Sequence, residues 1–384
     1  MIAASDAQVD TPARLGSDGP VGLMAVRVVH MWLRRTLVYV SLLVMLAALW
    51  LGVAIFVTLN DDGIPERRIA AADALPVAEA PLKLMIWNIG YSGLGEESDF
   101  QTDGGEMLRP PGRKAVEKNL AGIQGVLRDE APDILMMQEL AGPGFLTHNV
   151  DVLSGVKDAL PGYGMVFSSD IRTRLLPGPL GLRHGLGTFA KVAGERTKLV
   201  RLAEEPEPIM GFIQRRYHVQ VTELEVSGAP WVILNVHLSA FDEGAGTRMQ
   251  QVREVLDLAQ SHYQQGKAVV LGGDWNMRLT QTDFPYESEE TALFWVHDFP
   301  RDDLRPGWQI VIDPAVPTTR TNEQPYTAGV NYTTIIDGFI VSPNVTVEEV
   351  RGLDLGFRIT DHQPVIATLS LTGPEAANSQ SESD

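Results

Sequence analysis

At 384 residues, with 44% hydrophobic and 21% charged side chains, the chain has the make-up of a globular protein of one or two domains. A formal charge of −18 disfavours constitutive, non-specific nucleic-acid binding, because neutralisation of phosphates by Lys and Arg supplies most of that affinity. The absence of cysteine removes disulfide frameworks, thiolate zinc sites and cysteine nucleophiles, so any metal must be held by oxygen and imidazole ligands.

Residues 1–35 form an N-terminal segment with four arginines (Arg14, Arg27, Arg34, Arg35) against three aspartates (Asp6, Asp10, Asp18), a net of +1. The uncharged run from Thr36 to Leu59 follows, and it exceeds the roughly 20 apolar residues needed to cross bilayer hydrocarbon. The competing reading is a cleaved signal peptide. Its apolar stretch is normally about 7 to 15 residues, and Thr58-Leu59-Asn60 is a poor cleavage exit. A membrane anchor is therefore expected. Arg27, Arg34 and Arg35 before the span, with Asp61 and Asp62 after it, place the N-terminus in the cytoplasm and the rest outside, as for a single-pass protein of a bacterial-type inner membrane.

Residues 60–80 are rich in Ala, Pro and charge without apolar periodicity, which predicts a tether. Beyond it, residues 81–372 alternate two kinds of segment. Short apolar or alternating runs predict strands over 82–87, 133–137, 165–167, 187–191, 217–226, 231–238, 268–271, 335–341 and 364–371. The spacing of Val116, Leu120, Ile123 and Leu127, and of Val252, Val255, Leu256 and Ala259, predicts two amphipathic helices facing a sheet. Strands interrupted by helices imply a layered α/β domain. The polar stretch 373–384 is expected to be a disordered tail.

Polar residues cluster where these apolar runs end, which is where α/β sheets place their sites. Asn88 follows LKLMIW, Glu139 follows DILMMQ and His237 lies in WVILNVHLS. Asp274 and Asn276 follow VVLGG, Asp337 follows TTII, and Asp361-His362 precedes PVIATL. Singly, each reads as a turn residue, a helix cap or a core histidine. Repeated at strand after strand, the set points to one site.

The ordered pieces IWNIG (86–90), MQEL (137–140), NVHLSA (235–240), GGDWN (272–276), IIDGFIVS (335–342) and TDHQPV (360–365) resemble the endonuclease/exonuclease/phosphatase superfamily. The resemblance implies an α/β fold, a four-layer αββα sandwich, with both sheets feeding one catalytic cleft. It implies Mg²⁺ (or Mn²⁺) held by Glu139 with Asn88 and Asp361. Asp274 and Asn276 match the family's Asp-x-Asn pair, which positions nucleophile and phosphate. His237 matches an imidazole on the scissile phosphate, His362 the catalytic histidine, Asp337 its orienting carboxylate, and Asp361 a metal-side or phosphate-side acid. The chemistry suits these groups independently, since diester hydrolysis needs an activated water, a neutralised phosphate and a stabilised leaving oxygen.

Arg248 and Gln251 lie one helical turn apart and are expected to point from a helix start towards the cleft. Arg320, in the long loop before Asp337 that also carries Thr319, Tyr326 and Tyr332, is the expected substrate contact, while Arg183 and His184 read as an ordinary Gly-rich loop. The expected function is hydrolysis of a phosphate-ester substrate, a lipid head group or small phosphodiester. An extracytoplasmic nuclease is the runner-up, because metals can offset protein charge. A tethered, non-catalytic binding module ranks third, since Glu139, Asp274 and His362 are all retained.

Overall fold

The computed structural model describes residues 20–61, 66–69, 75–176, 178–207, 213–240 and 242–372. The expected tail at 373–384 and Arg14 with its neighbouring aspartates lie outside the described residues. The chain divides into two compact units at Phe56/Val57. The first carries most of helix α1 (Pro20–Leu59), whose stretch Val26–Leu59 is long and apolar enough to cross a membrane. From Met24 to Phe56 its large apolar side chains are broadly exposed.

In chain order the second unit contains β1 (Glu66–Ile69), β2 (Leu82–Asn88), α2 (Arg113–Glu130), β3 (Ile134–Ala141), α3 (Val152–Ala159), β4 (Gly164–Arg172), β5 (Arg183–Ala190), β6 (Gly194–Arg201), β7 (His218–Val226) and β8 (Ala229–His237). There follow α4 (Gly246–Gln264), β9 (Ala268–Asp274), β10 (Gln309–Val311), β11 (Thr319–Arg320), β12 (Thr333–Thr334), β13 (Asp337–Val341), β14 (Val345–Gly352) and β15 (Val365–Leu371). Seven strands make one sheet in the order β1-β4-β5-β3-β2-β15-β14, and six make the other, β10-β13-β9-β8-β7-β6. Strand β1 falls in the segment read as a tether, and Ala78, also in that segment, is buried and bridges Val226.

Three apolar cores separate four layers. Leu84, Ile86 and Met136 of the first sheet meet Ile233, Val270 and Phe339 of the second. The outer face of the first sheet packs on α2 and α3 through Ile123, Leu127 and Val156, and that of the second on α4 through Val252 and Val255. The result is the αββα sandwich. A buried polar tie also joins the sheets, where Gln138 Nε2 donates to Asn235 Oδ1 at 2.8 Å.

The two sheets approach closely at Gly272, where an added Cβ would lie 2.7 Å from Met136 Cε, 2.8 Å from Ile86 Cγ2 and 2.8 Å from Phe339 Cδ1. Gly272→Ala is expected to destabilise the domain by about 1–3 kcal/mol through overpacking, read as a lower midpoint in thermal unfolding. An unchanged midpoint would show that the sheets can spread without loss.

Among the described strands two neighbouring pairs are parallel, β2 with β3 and β8 with β9. Parallel strands bring their C-terminal ends to one edge, and the antiparallel β13 and β15 bring their N-terminal ends to that same edge. This topology is what collects residues 88, 139, 237, 274, 337 and 362.

Candidate active site

Register fixes the centre. Asp274 pairs with His237 on one side and with Asp337 on the other, while Asn88 pairs with Gln138 across the first sheet. Asn88 Nδ2 reaches across the seam and donates to Asp274 Oδ2 at 2.9 Å. It also lies 3.4 Å from Glu139 Oε1 and 3.5 Å from His362 Nε2.

Glu139 owes its direction to a β-bulge. The pairing of β3 with β5 shifts between Met137 and Leu140, and Glu139 adopts φ 55°, so Gln138 turns into the core while Glu139 lines the cleft. A second bulge, between Ser169 and Ile171 of β4, presents Asp170. Asp170 accepts from His184 Nδ1 at 2.8 Å and from Arg215 Nε at 3.0 Å, and His184 Nε2 lies 3.5 Å from Glu139. Burial opposes the charge on Glu139, but His184, then His237 and Arg215, hold its carboxyl down at about 2. Burial likewise disfavours charge on His184, yet Asp170 and Glu139 raise it to about 9.

The two histidines expected to act have opposite electrostatics. Burial and then the Arg215 guanidinium push His237 down to about 4, so its ring is neutral near pH 7. Arg215 Nη2 donates to His237 Nδ1 at 2.9 Å, which leaves Nε2 to carry the proton, 3.5 Å from Asp274 Oδ2. His362 is buried too, but Asp337 outweighs the desolvation and raises its pKa well above the usual imidazole value. Its Nδ1 donates to Asp337 Oδ2 at 2.9 Å, its Nε2 lies 3.4 Å from Thr319 Oγ1, and Trp87 Nε1 fixes its backbone carbonyl at 3.1 Å. Among the described residues, Asp274, Asp337 and His362 also bring ligand-type atoms within 4.8 Å of one another.

Asn276 accepts its place from Asp274, whose Oδ1 takes the Asn276 N–H at 2.8 Å, while Asn276 Nδ2 donates to Leu238 O. Asp361 Oδ2 accepts from Asn322 Nδ2 at 2.8 Å. Glu139, His184, Arg215, His237, Asp274, Asn276, Asp361 and His362 line a cleft of about 210 Å³, whereas Asn88, Asp170 and Asp337 contact these residues from outside its lining. Trp275, between Asp274 and Asn276, is buried and donates to Gly338 O, so it packs beside the site.

Two expectations need correction. Arg248 is fully buried and does not line the cleft. Its guanidinium donates to Asp242, to the carbonyls of Asn276 and Ala240, and to Trp295 O at 2.8 Å, so it braces the Asn276 loop. Gln251 is likewise spent, accepting from Ser239 N and donating to Ala203 O. Arg320 does line the cleft, but its terminal nitrogens donate to the carbonyls of Thr321, Gly95 and Ser98. Arg248→Met should remove the guanidinium from Asp242 and from three carbonyls, costing about 3–5 kcal/mol of stability. Thermal unfolding would measure it, and an unchanged midpoint would refute the bracing role.

Sequence reasoning missed Arg215 and Asp170 and set His184 aside. Arg215 sits in irregular chain just before β7, and Asp170 lies on the part of β4 beyond the expected strand end at Phe167. The QRRY string was the available signal for Arg215, whereas Ser168-Ser169-Asp170 breaks the apolar run and gave none for Asp170.

Two layered sheets thus bring their strand ends to a single carboxylate–histidine site. Residues 85–362 match the model of the Endonuclease/Exonuclease/phosphatase family, and the chain belongs to that family. Among solved structures it is similar to an endonuclease/exonuclease/phosphatase from Beutenbergia cavernae DSM 12333, with 21% identity, a TM-score of 0.51, and coverage of 76% of this chain and 72% of that one. It is also similar to truncated Caenorhabditis elegans TDP2 (15% identity, TM-score 0.49, 76% of this chain and 98% of that one). A further similar structure is the human Nocturnin catalytic domain with bound sulfate (18% identity, TM-score 0.46, 80% and 98%). No curated protein matches the chain significantly in sequence.

Proposed function

We propose that the chain is a membrane-anchored phosphodiesterase, dependent on Mg²⁺ or Mn²⁺, that hydrolyses lipid head groups or other small phosphodiesters. The observation that carries this reading is the convergence, at one sheet edge, of an ionised Glu139, a neutral His237 and the Asp337–His362 pair.

Glu139, Asn88 and Asp361 are the residues to hold the metal. Glu139 and Asp361 offer carboxylate oxygens, hard donors that suit these cations, while Asn88 steadies the site through its Nδ2, which faces Glu139 and Asp274. Burial, together with the nearby charge of Glu139, raises the proton affinity of Asp361, partly offset by His362 and Arg320, and a divalent cation relieves such crowding of buried carboxylates. When bound, the metal polarises a phosphoryl oxygen and neutralises its charge.

The protein's own groups then divide the work. Asp274, whose proton affinity is raised by burial and by Asp337, accepts the proton of the attacking water, and Asn276 holds that water in line. His237 Nε2–H and Arg215 face the phosphate and stabilise its developing charge. The new bond joins the water oxygen to phosphorus, the bond to the alcohol oxygen breaks, and His362 gives its proton to the departing alkoxide. A monoester and an alcohol result.

The anchor reading rests on the length and apolarity of the first helix and on Arg27, Arg34 and Arg35 ahead of the span, with 81–372 on the far side of the membrane. The test is to assay the purified full chain with Mg²⁺ or Mn²⁺ against bis-p-nitrophenyl phosphate, sphingomyelin, phosphoinositides and plasmid DNA. Reporters fused after residue 80 check the topology. Preference for plasmid DNA over every small diester would overturn the substrate class, and a reporter active only in the cytoplasm would overturn the orientation.

A further inference from the structure

Much of the cleft beside the catalytic residues is apolar. Phe100, Leu108, Phe145, Leu146, Ile171 and Leu182 line it, and all are left partly or largely uncovered by the protein. Leu108 is 50% exposed although it belongs to a cleft wall, and Phe100 and Leu146 pack on a small cluster of Tyr91, Leu94 and Ala141 separate from the three main cores. Aliphatic side chains held open next to charged chemistry give up hydrophobic stabilisation that an apolar ligand would restore.

The polar contents of the same cleft limit what that ligand is. Asp103, Glu139, Asp274 and Asp361 line it, and among the described residues no lysine does. Of its two arginines, Arg215 is paired with Asp170 beside the reaction centre, and the terminal nitrogens of Arg320 donate to backbone carbonyls. A polyanion with phosphates flanking the reacting one would meet carboxylates along its length, whereas a single diester brings one charge. Tyr91 adds an independent pointer. Its side chain is only 3% exposed, it lines the cleft, and its hydroxyl has no hydrogen-bond partner, a costly state that a substrate oxygen would relieve.

We propose that this wall is a subsite for the alkyl portion of an amphiphilic phosphodiester, with the Tyr91 hydroxyl donating to a substrate oxygen where the wall meets the reaction centre. The inference rests on the phosphodiesterase reading above and adds the chemistry of the alcohol. Two sources share that chemistry, a free amphiphile and a lipid in a bilayer.

The experiment uses the full chain held in solution by an amphipathic polymer and a series of p-nitrophenyl alkyl phosphates from methyl to octyl, all below their aggregation concentrations. kcat/KM should rise along the series, by about 30-fold or more overall given the gain per buried methylene. Leu108→Ser and Leu182→Ser should each compress the octyl-to-methyl ratio by about fivefold or more. Leu180→Ser, also exposed but outside the cleft lining, should leave that ratio as it is. Tyr91→Phe should lower kcat/KM for every member by about 3- to 10-fold, the worth of one hydrogen bond. Phosphatidylglycerol vesicles separate the sources: cleavage there at the octyl rate marks a bilayer lipid, and turnover of monomeric esters alone marks a free amphiphile. A flat series with good turnover of the methyl ester would overturn the subsite and leave the phosphodiesterase reading intact. So would faster cleavage of thymidine 5′-p-nitrophenyl phosphate than of the octyl ester. Loss of turnover throughout, with metal present, would overturn both.

Discussion

Asp337→Asn, His362→Ala and the double substitution should each lower kcat by about 10²- to 10⁴-fold, and the double variant should be little worse than His362→Ala alone. The two side chains meet at 2.9 Å in a buried setting, so removing Asp337 removes the partner that charges and orients the imidazole. Non-additivity is the mark of groups that act as a unit. The pH profile gives a second readout. In the intact protein His362 is held protonated well above the usual imidazole range, so activity that depends on the imidazolium persists at pH 7 and falls at alkaline pH. Asp337→Asn takes away the largest raising influence and leaves burial, which lowers, opposed only by Asp274 and Asp361, so the alkaline limb should move to lower pH. Strictly additive losses with an unshifted limb would separate the residues mechanistically.

Glu139→Gln should raise the Mg²⁺ concentration needed for half-maximal activity by at least about 10-fold and lower kcat at saturation by about 10²- to 10³-fold. The substitution keeps the side chain's size but deletes the charge that His184, His237 and Arg215 converge on. It also leaves His184 with one carboxylate, Asp170, instead of two. Isothermal titration of Mg²⁺ into wild type and variant would measure the binding loss apart from turnover. Equal affinity in both proteins, or full wild-type activity in excess EDTA, would exclude Glu139 as the metal's anchor.

The expected strands were recoverable from pattern because the sheets are sandwiched between layers, so that strands such as β3 and β9 read as almost unbroken apolar runs. The site acids were visible because topology places them at strand ends. Strands β6 and β14 were missed for the opposite reason. β14 carries Glu348 and Glu349 on a half-exposed edge, and β6 pairs only with β7, so neither shows a buried pattern. Arg248 misled because its helical spacing is real but its direction is set by loop carbonyls far along the chain, 28 and 47 positions from it. Arg215 escaped because its partners, Asp170 and His237, are 45 and 22 positions away and become neighbours only through the fold.

His362, the last residue of the site along the chain, lies three positions before β15, and that strand occupies an interior place between β2 and β14. Asn88 and His362, which stand 3.5 Å apart, are separated by 274 positions. A chain that emerges N-terminus first therefore holds no complete site until nearly all of it has been made and its final strand has slotted beside β2. Contacts of such sequence separation form late and slowly. On the proposed reading, in which the domain is made on one side of a membrane and used on the other, this wiring would keep the nascent polypeptide chemically silent during transit.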